Sequence, residues 1–146
     1  MYTDLCEAYP GTILTPHDPP TACHLTLFWA NTNPAQITVG IRPKNTDAGE
    51  YWHVGRSVFI AAALDFYRGA WAGGGDFSIC YRTETDRALL AFRGEDGDRA
   101  VVFVPAGRMM DFIAHTEVLV PTGPAESEIT LKRVDEALAL ILGRTP

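Results

Sequence analysis

The sequence predicts an α+β domain with mostly antiparallel strands. Three observations carry that expectation. Two stretches alternate apolar residues with period two, a series of short strand-like segments is joined by connections too brief for crossovers, and the last helical segment carries a clean apolar stripe. The 146 residues suit one hydrophobic core. Apolar residues at 47% against 21% charged are the balance of a globular chain. In chain order the expected pattern is βββ-α-βββ-α-α.

Residues 1–17 read as a loosely ordered N-terminal segment, and residues 18–146 as a single domain. Pro10-Gly11, Pro16 and Asp18-Pro19-Pro20 punctuate the start, and proline cannot donate to a central ladder. The first strand is expected over about Thr21 to Ala30, where Cys23, Leu25, Leu27 and Trp29 alternate against Ala22, His24, Thr26 and Phe28. Asn31 to Pro34 reads as a turn. Gln36 to Arg42 repeats the alternation with Ile37, Val39 and Ile41 on one face. Glu50 to Val54 reads as a short aromatic strand.

Ser57 is a plausible N-cap for a helix reaching Tyr67, whose Val58 to Leu64 run is apolar all round and so calls for burial on most sides. Gly73-Gly74-Gly75 reads as a flexible connector. Three strands follow, over Asp76 to Arg82, Arg87 to Arg93 and Arg99 to Val104, the last two joined by an Asp96-Gly97 hairpin step. Pro105 suits position N1 of a second helix running to about His115. Pro121 to Pro124 reads as a linker. The last helix places Leu131, Val134, Leu138, Ile141 and Leu142 on one stripe, with Lys132, Arg133, Asp135 and Glu136 opposite.

Chemistry is sparse. Cys6, Cys23 and Cys80 are an odd number without tight spacing, which argues against a disulfide framework and suits a reducing compartment. No run is long enough to span a membrane, and the start lacks a basic segment followed by an apolar one, so a cytoplasmic location is expected. His17, His24, His53 and His115 fall in no metal-binding spacing, and neither metal nor cofactor is expected. Cys23 and His24 are neighbours in a strand and point to opposite faces. An enzyme using Cys80 or His53 would have to assemble its site through the fold. The Gly73-Gly74-Gly75-Asp76 run has a helix before it and a strand after it, the reverse of a phosphate loop. Trp29, Trp52, Phe77, Tyr81 and Phe92 could offer stacking platforms to a single-stranded nucleic acid. The net charge of −6 and the scattered cations are set against it.

Five segments in order resemble the SsgA-like proteins of actinobacterial sporulation and cell division. Trp52-His53-Val54-Gly55-Arg56-Ser57-Val58-Phe59 resembles the family's W-x-x-x-R-[DS] segment and the two hydrophobic residues after it. Gly75-Asp76-Phe77 resembles its G-D-V, and Phe112 to Gly123 resembles F-L-x-R-T-x-x-x-V-P-x-G. Asp135 to Leu142 is similar to the C-terminal D-x-x-L-x-x-I-L, and Asp18-Pro19 to the D-P before the first strand. His115 stands where the family usually has arginine and Ser57 where aspartate is common, which marks a divergent member.

The resemblance implies a whirly-like domain forming a homo-oligomer, often a trimer, without enzymatic activity. It implies an adaptor or regulator of septum formation, recruited to division septa, with protein partners such as the tubulin-like division protein FtsZ or SsgA-like paralogues. Two alternatives stay open: a single-stranded nucleic-acid-binding whirly-like domain, and a divergent homologue that antagonises host division. The candidate interaction or structural residues are Trp52, expected to bury its ring, Arg56, expected either to pair with a carboxylate or to lie in an interface, and His115.

Overall fold

The computed structural model describes residues 3–44, 46–64, 71–82, 84–93 and 99–121. Eight strands and two helices follow in the order β1 (Asp4–Leu14), β2 (Thr21–Ala30), β3 (Gln36–Pro43), β4 (Glu50–Gly55), α1 (Arg56–Leu64), β5 (Ala72–Gly74), β6 (Phe77–Arg82), β7 (Arg87–Arg93), β8 (Arg99–Pro105) and α2 (Ala106–Leu119). All strands belong to one antiparallel sheet in the order β4-β3-β2-β1-β8-β7-β6-β5. The sheet is thus two four-stranded meanders, each running straight into a helix. They meet at a seam where the end of β1 pairs with β8, from Thr12↔Phe103 to Leu14↔Val101. The expected order βββ-α-βββ-α-α is corrected to ββββα twice over, and the third expected helix lies outside the described residues.

The additional strands explain the correction. The expectation that residues 1–17 are loosely ordered fails because β1 pairs with β2 over ten positions, Asp4↔Ala30 to Ile13↔Thr21. Its Pro10 lies where only β2 ladders against it, and a strand paired on one edge tolerates a proline. Gly11 sits where β8 arrives. A Cβ there would come within 2.9 Å of the Phe103 carbonyl oxygen and 3.2 Å of Cys23 Sγ. The Pro-Gly pair therefore marks a change of neighbours rather than the end of order. The glycine run read as a connector is β5 and its turn. Gly74 pairs with Phe77 across the two-residue step Gly75-Asp76, and Gly75 takes φ +68, a value glycine adopts without strain.

Both helices start differently from expectation. Arg56 opens α1, its N–H donating to the Ala35 carbonyl at 2.7 Å, so Ser57 lies inside the first turn and is not the cap. Pro105 is the N-cap of α2 rather than its first residue, in extended conformation, and the Ala106 N–H donates to the Asp86 carbonyl at 3.0 Å. The helix continues past His115 to Leu119.

The inward residues of β2 and β3 are the predicted ones: Cys23, Leu25, Leu27, Trp29, Ile37, Val39 and Ile41 are all buried. They meet Ile79, Tyr81, Leu90 and Val102 from the second meander, and Phe59, Met109, Phe112 and Ile113 from the helices. Arg108 ties α2 to β1: its guanidinium lies 5.0 Å from the Tyr9 ring centre and 3.0 Å from Glu7 Oε1.

One core residue is imperfectly satisfied. The Tyr81 hydroxyl is buried without a hydrogen-bond partner among the described residues, and burial raises its pKa well above the usual phenol value. An unpaired buried hydroxyl costs about 1–3 kcal/mol. Tyr81→Phe removes that cost at constant shape, so its denaturation midpoint should equal or exceed the parent's. A lower midpoint would reveal an internal partner for the hydroxyl.

Candidate functional site

Arg56 lies at the junction of β4 and α1 and is 4% exposed. Its Nη1 donates to the carbonyls of Thr116 at 3.2 Å and Val120 at 2.8 Å, and its Nε stands 3.5 Å from Glu117 Oε1. The last carbonyls of a helix lack partners within it and carry partial negative charge, so a guanidinium there supplies both donors and a countercharge. Thr116 is fully buried, and its hydroxyl donates to the Ile113 carbonyl at 2.7 Å. Two sequence segments sixty residues apart, Arg56-Ser57 and Thr116 to Val120, are thereby one clamp. Arg56 acts inside the chain and pairs with a carboxylate, the first of its two expected roles.

His115, one residue from Thr116, points the other way and is exposed. Val118 and Leu119 are exposed beside it on the last turn of α2. The structure therefore separates neighbours in the motif into an inward group and an outward one.

Trp52 is half-buried, less than expected. Its ring centre is 4.4 Å from that of Phe92, which continues through Phe77 at 5.2 Å to Phe59 at 5.7 Å. Trp52 and Phe92 contribute to a cleft of about 680 Å³, together with Ile13, Ile41 and Val102. Asp18, Glu50, Arg99 and His17 also line it. Sequence reasoning missed this cleft: its walls come from strands on both meanders, and Ile13 belongs to the segment read as loose. The recurrence of Leu5, Tyr9 and Ile13 on one face of a period-two pattern was the available signal.

The other face of β2 to β4 carries Tyr51, 73% exposed, and Phe28. The Tyr51 ring lies across Gly40, where a Cβ would come within 2.9 Å of Cε1. His53 Nδ1 is 2.9 Å from Gln36 Nε2 and 3.1 Å from Thr38 Oγ1 on the same face. Of the five aromatics considered as stacking platforms, Trp29, Phe77, Tyr81 and Phe92 are buried in the core and only Trp52 is partly open.

The cysteines and histidines do not converge. Cys80 is buried on β6, whereas His53 is exposed on β4 with Gln36 and Thr38 as its neighbours. Burial pushes the Cys23 and Cys80 thiols up, which keeps them protonated and poorly nucleophilic, whereas Cys6 is exposed. Native alkylation at pH 8 should therefore label Cys6 alone, and labelling in urea all three, as read by intact mass. A second native adduct would show that a buried thiol is reached. Among the described residues no group of three or more His, Cys, Asp or Glu is placed to hold a metal ion. No described helix is long and apolar enough to cross a membrane.

Comparison with known proteins places this geometry. The chain superimposes on SsgB of Streptomyces coelicolor, a protein whose mutations correlate with longitudinal cell division during sporulation, with a TM-score of 0.67 at 17% identity, covering 89% of this chain and 97% of the other. It also superimposes on an SsgA-like sporulation-specific cell division protein from Thermobifida fusca, with a TM-score of 0.69 at 16% identity over 97% and 96% of the two chains. No match emerges among curated proteins. Residues 23–125 match the family described as Streptomyces sporulation and cell division protein, SsgA. That span takes in both sides of the Arg56 clamp, and the chain belongs to the SsgA sporulation and cell division family.

Proposed function

We propose that this chain is a non-enzymatic adaptor or regulator of septum formation that works by binding other proteins in an actinobacterial cell. The carrying observation is the family match over residues 23–125, whose description names sporulation and cell division. The disposition of side chains supports it. The polar groups of the matched segments are used internally, in the clamp of Arg56, Thr116 and Val120, while His115, Val118 and Tyr51 are left on the surface. Tyrosine and apolar side chains on a surface are the groups from which protein interfaces draw their energy.

In this reading the domain is whirly-like and homo-oligomeric, a trimer in the arrangement the resemblance implies. It acts in the cytoplasm and is recruited to the septum by FtsZ or by an SsgA-like paralogue. The full chain, tagged and used as bait in an actinobacterial lysate, should recover one of these by mass spectrometry. Recovery of neither would count decisively against the adaptor role. Light scattering on the purified chain tests the trimer separately.

A further inference from the structure

We propose that the open edge of β4 and the cleft beside it form one docking site for an extended peptide of a partner protein, which adds to the sheet as a further strand. The proposal rests on the protein-binding reading above and gives that reading a surface and a ligand chemistry.

Among the described residues β4 pairs with β3 alone, from Gln36↔Gly55 to Ile41↔Glu50, so its other edge presents unpaired backbone groups. Sheet proteins usually guard such an edge with proline, lysine, a bulge or a very short strand. The opposite edge is guarded in that way: β5 has three residues, Ala72–Gly74. Among the described residues nothing comparable protects β4, whose six residues Glu50–Gly55 include Tyr51, Trp52 and Val54 and no proline or lysine. Among the described residues it is a β-favouring edge of ordinary length left open.

The second observation is independent of the first. Glu50 and Trp52 of this same strand line the cleft with Ile41 and Phe92. Side chains alternate along a strand, so a strand added to β4 sends every second residue toward the Trp52 side and the others toward the Tyr51 side. Main-chain hydrogen bonds then hold the peptide, and the cleft selects among its side chains, the division of labour of strand addition. The cleft floor of Trp52, Phe92 and Ile41 calls for an apolar residue.

Charge supplies the rest of the motif. Asp47 and Glu50 are exposed where the chain enters β4, and with Asp18 they outnumber the cations Arg99, in the cleft, and Lys44, in the preceding loop. The Asp18 carboxylate at the cleft accepts a hydrogen bond from its own Thr15 hydroxyl, which leaves Glu50 the better placed anion. The ligand is therefore an extended segment with an apolar residue flanked by lysine or arginine. Nucleic acid fits less well, because the edge offers backbone amides rather than cations.

The test uses the full chain and a displayed library of random dodecapeptides. Selected peptides should share an apolar residue flanked by basic ones. Glu50→Lys should weaken them at least about tenfold, the scale of one lost charge contact. N-methylation of alternate amides in a selected peptide should weaken it as much, since that removes ladder bonds while keeping side chains. Failure to enrich any peptide, equal binding to the Glu50→Lys chain, or indifference to N-methylation would each overturn the site. So would light scattering in which Glu50→Lys dissociates an oligomer, since the edge would then belong to a second copy. If Glu50→Lys still recovers the same division protein from lysate, the adaptor reading stands and this docking site falls.

Discussion

Arg56→Ala is expected to destabilise the fold by about 3–5 kcal/mol, the range found when one partner of a buried ionic contact is removed. The Val120 carbonyl loses the Arg56 donor, the Thr116 carbonyl keeps only the Val120 N–H, and the Glu117 carboxylate loses its countercharge. At roughly 2–4 °C per kcal/mol for a chain of this size, the melting temperature should fall by about 10 °C. Arg56→Lys should recover little, because one ammonium group cannot reproduce a planar fork spread across a helix end. Glu117→Gln should cost much less, since it removes only the 3.5 Å ion pair and leaves both carbonyl contacts of Arg56 in place. Differential scanning calorimetry on the four proteins checks the order. A loss under about 1 kcal/mol for Arg56→Ala would mean that the clamp contributes nothing net and that the residue is free to serve a partner.

Trp29→Ala is expected to be at least as severe. Trp29 has no exposed surface and is among the largest fully buried side chains. Truncating a buried aromatic to alanine costs about 3–5 kcal/mol, from lost transfer energy and the cavity left behind. Its indole N–H also donates to the Pro34 carbonyl at 3.0 Å, pinning the turn between β2 and β3. Trp29→Phe keeps most of the apolar volume and loses that bond, so its cost separates the two contributions, with about 1 kcal/mol assigned to the bond. Urea denaturation measures both. If the alanine and phenylalanine variants were equally unstable, the hydrogen bond and not the packing would dominate.

Where local chemistry and tertiary structure agreed, the fold was readable in advance. β2 matches its expected span because four buried residues alternate without interruption, and β7 matches because arginines bound an apolar run. β1 was hidden because Pro10 and Gly11 usually end a strand. Here the proline is tolerated beside a half-paired edge, and the glycine is required by the approach of β8. β5 was hidden for a related reason, since three glycines carry no side-chain pattern and only the ladder to β6 reveals a strand.

The candidate site was less legible. Arg56 was recognisable as significant, but its acceptors are backbone carbonyls of residues whose side chains give no hint of the contact. Trp52 was singled out without its cleft, since Phe92 and Val102 reach it only when the second meander folds over the first. His115 was paired with Arg56 as an open question. The helix resolves the geometry by turning one inward group and one outward group out of adjacent residues.

The seam between the meanders has a consequence for synthesis. β1 holds residues at the start of the chain, yet its second neighbour is β8, and α2 is locked only when Val120 reaches Arg56. Contacts across such separations close slowly, because the intervening chain must first be confined. On the ribosome the first meander can form its own hairpins early. It must then wait, with the far edge of β1 unpaired, until nearly the whole described chain has emerged. A chain interrupted before β8 would keep that edge open and the Arg56 charge uncompensated, and such a product is a substrate for aggregation or proteolysis.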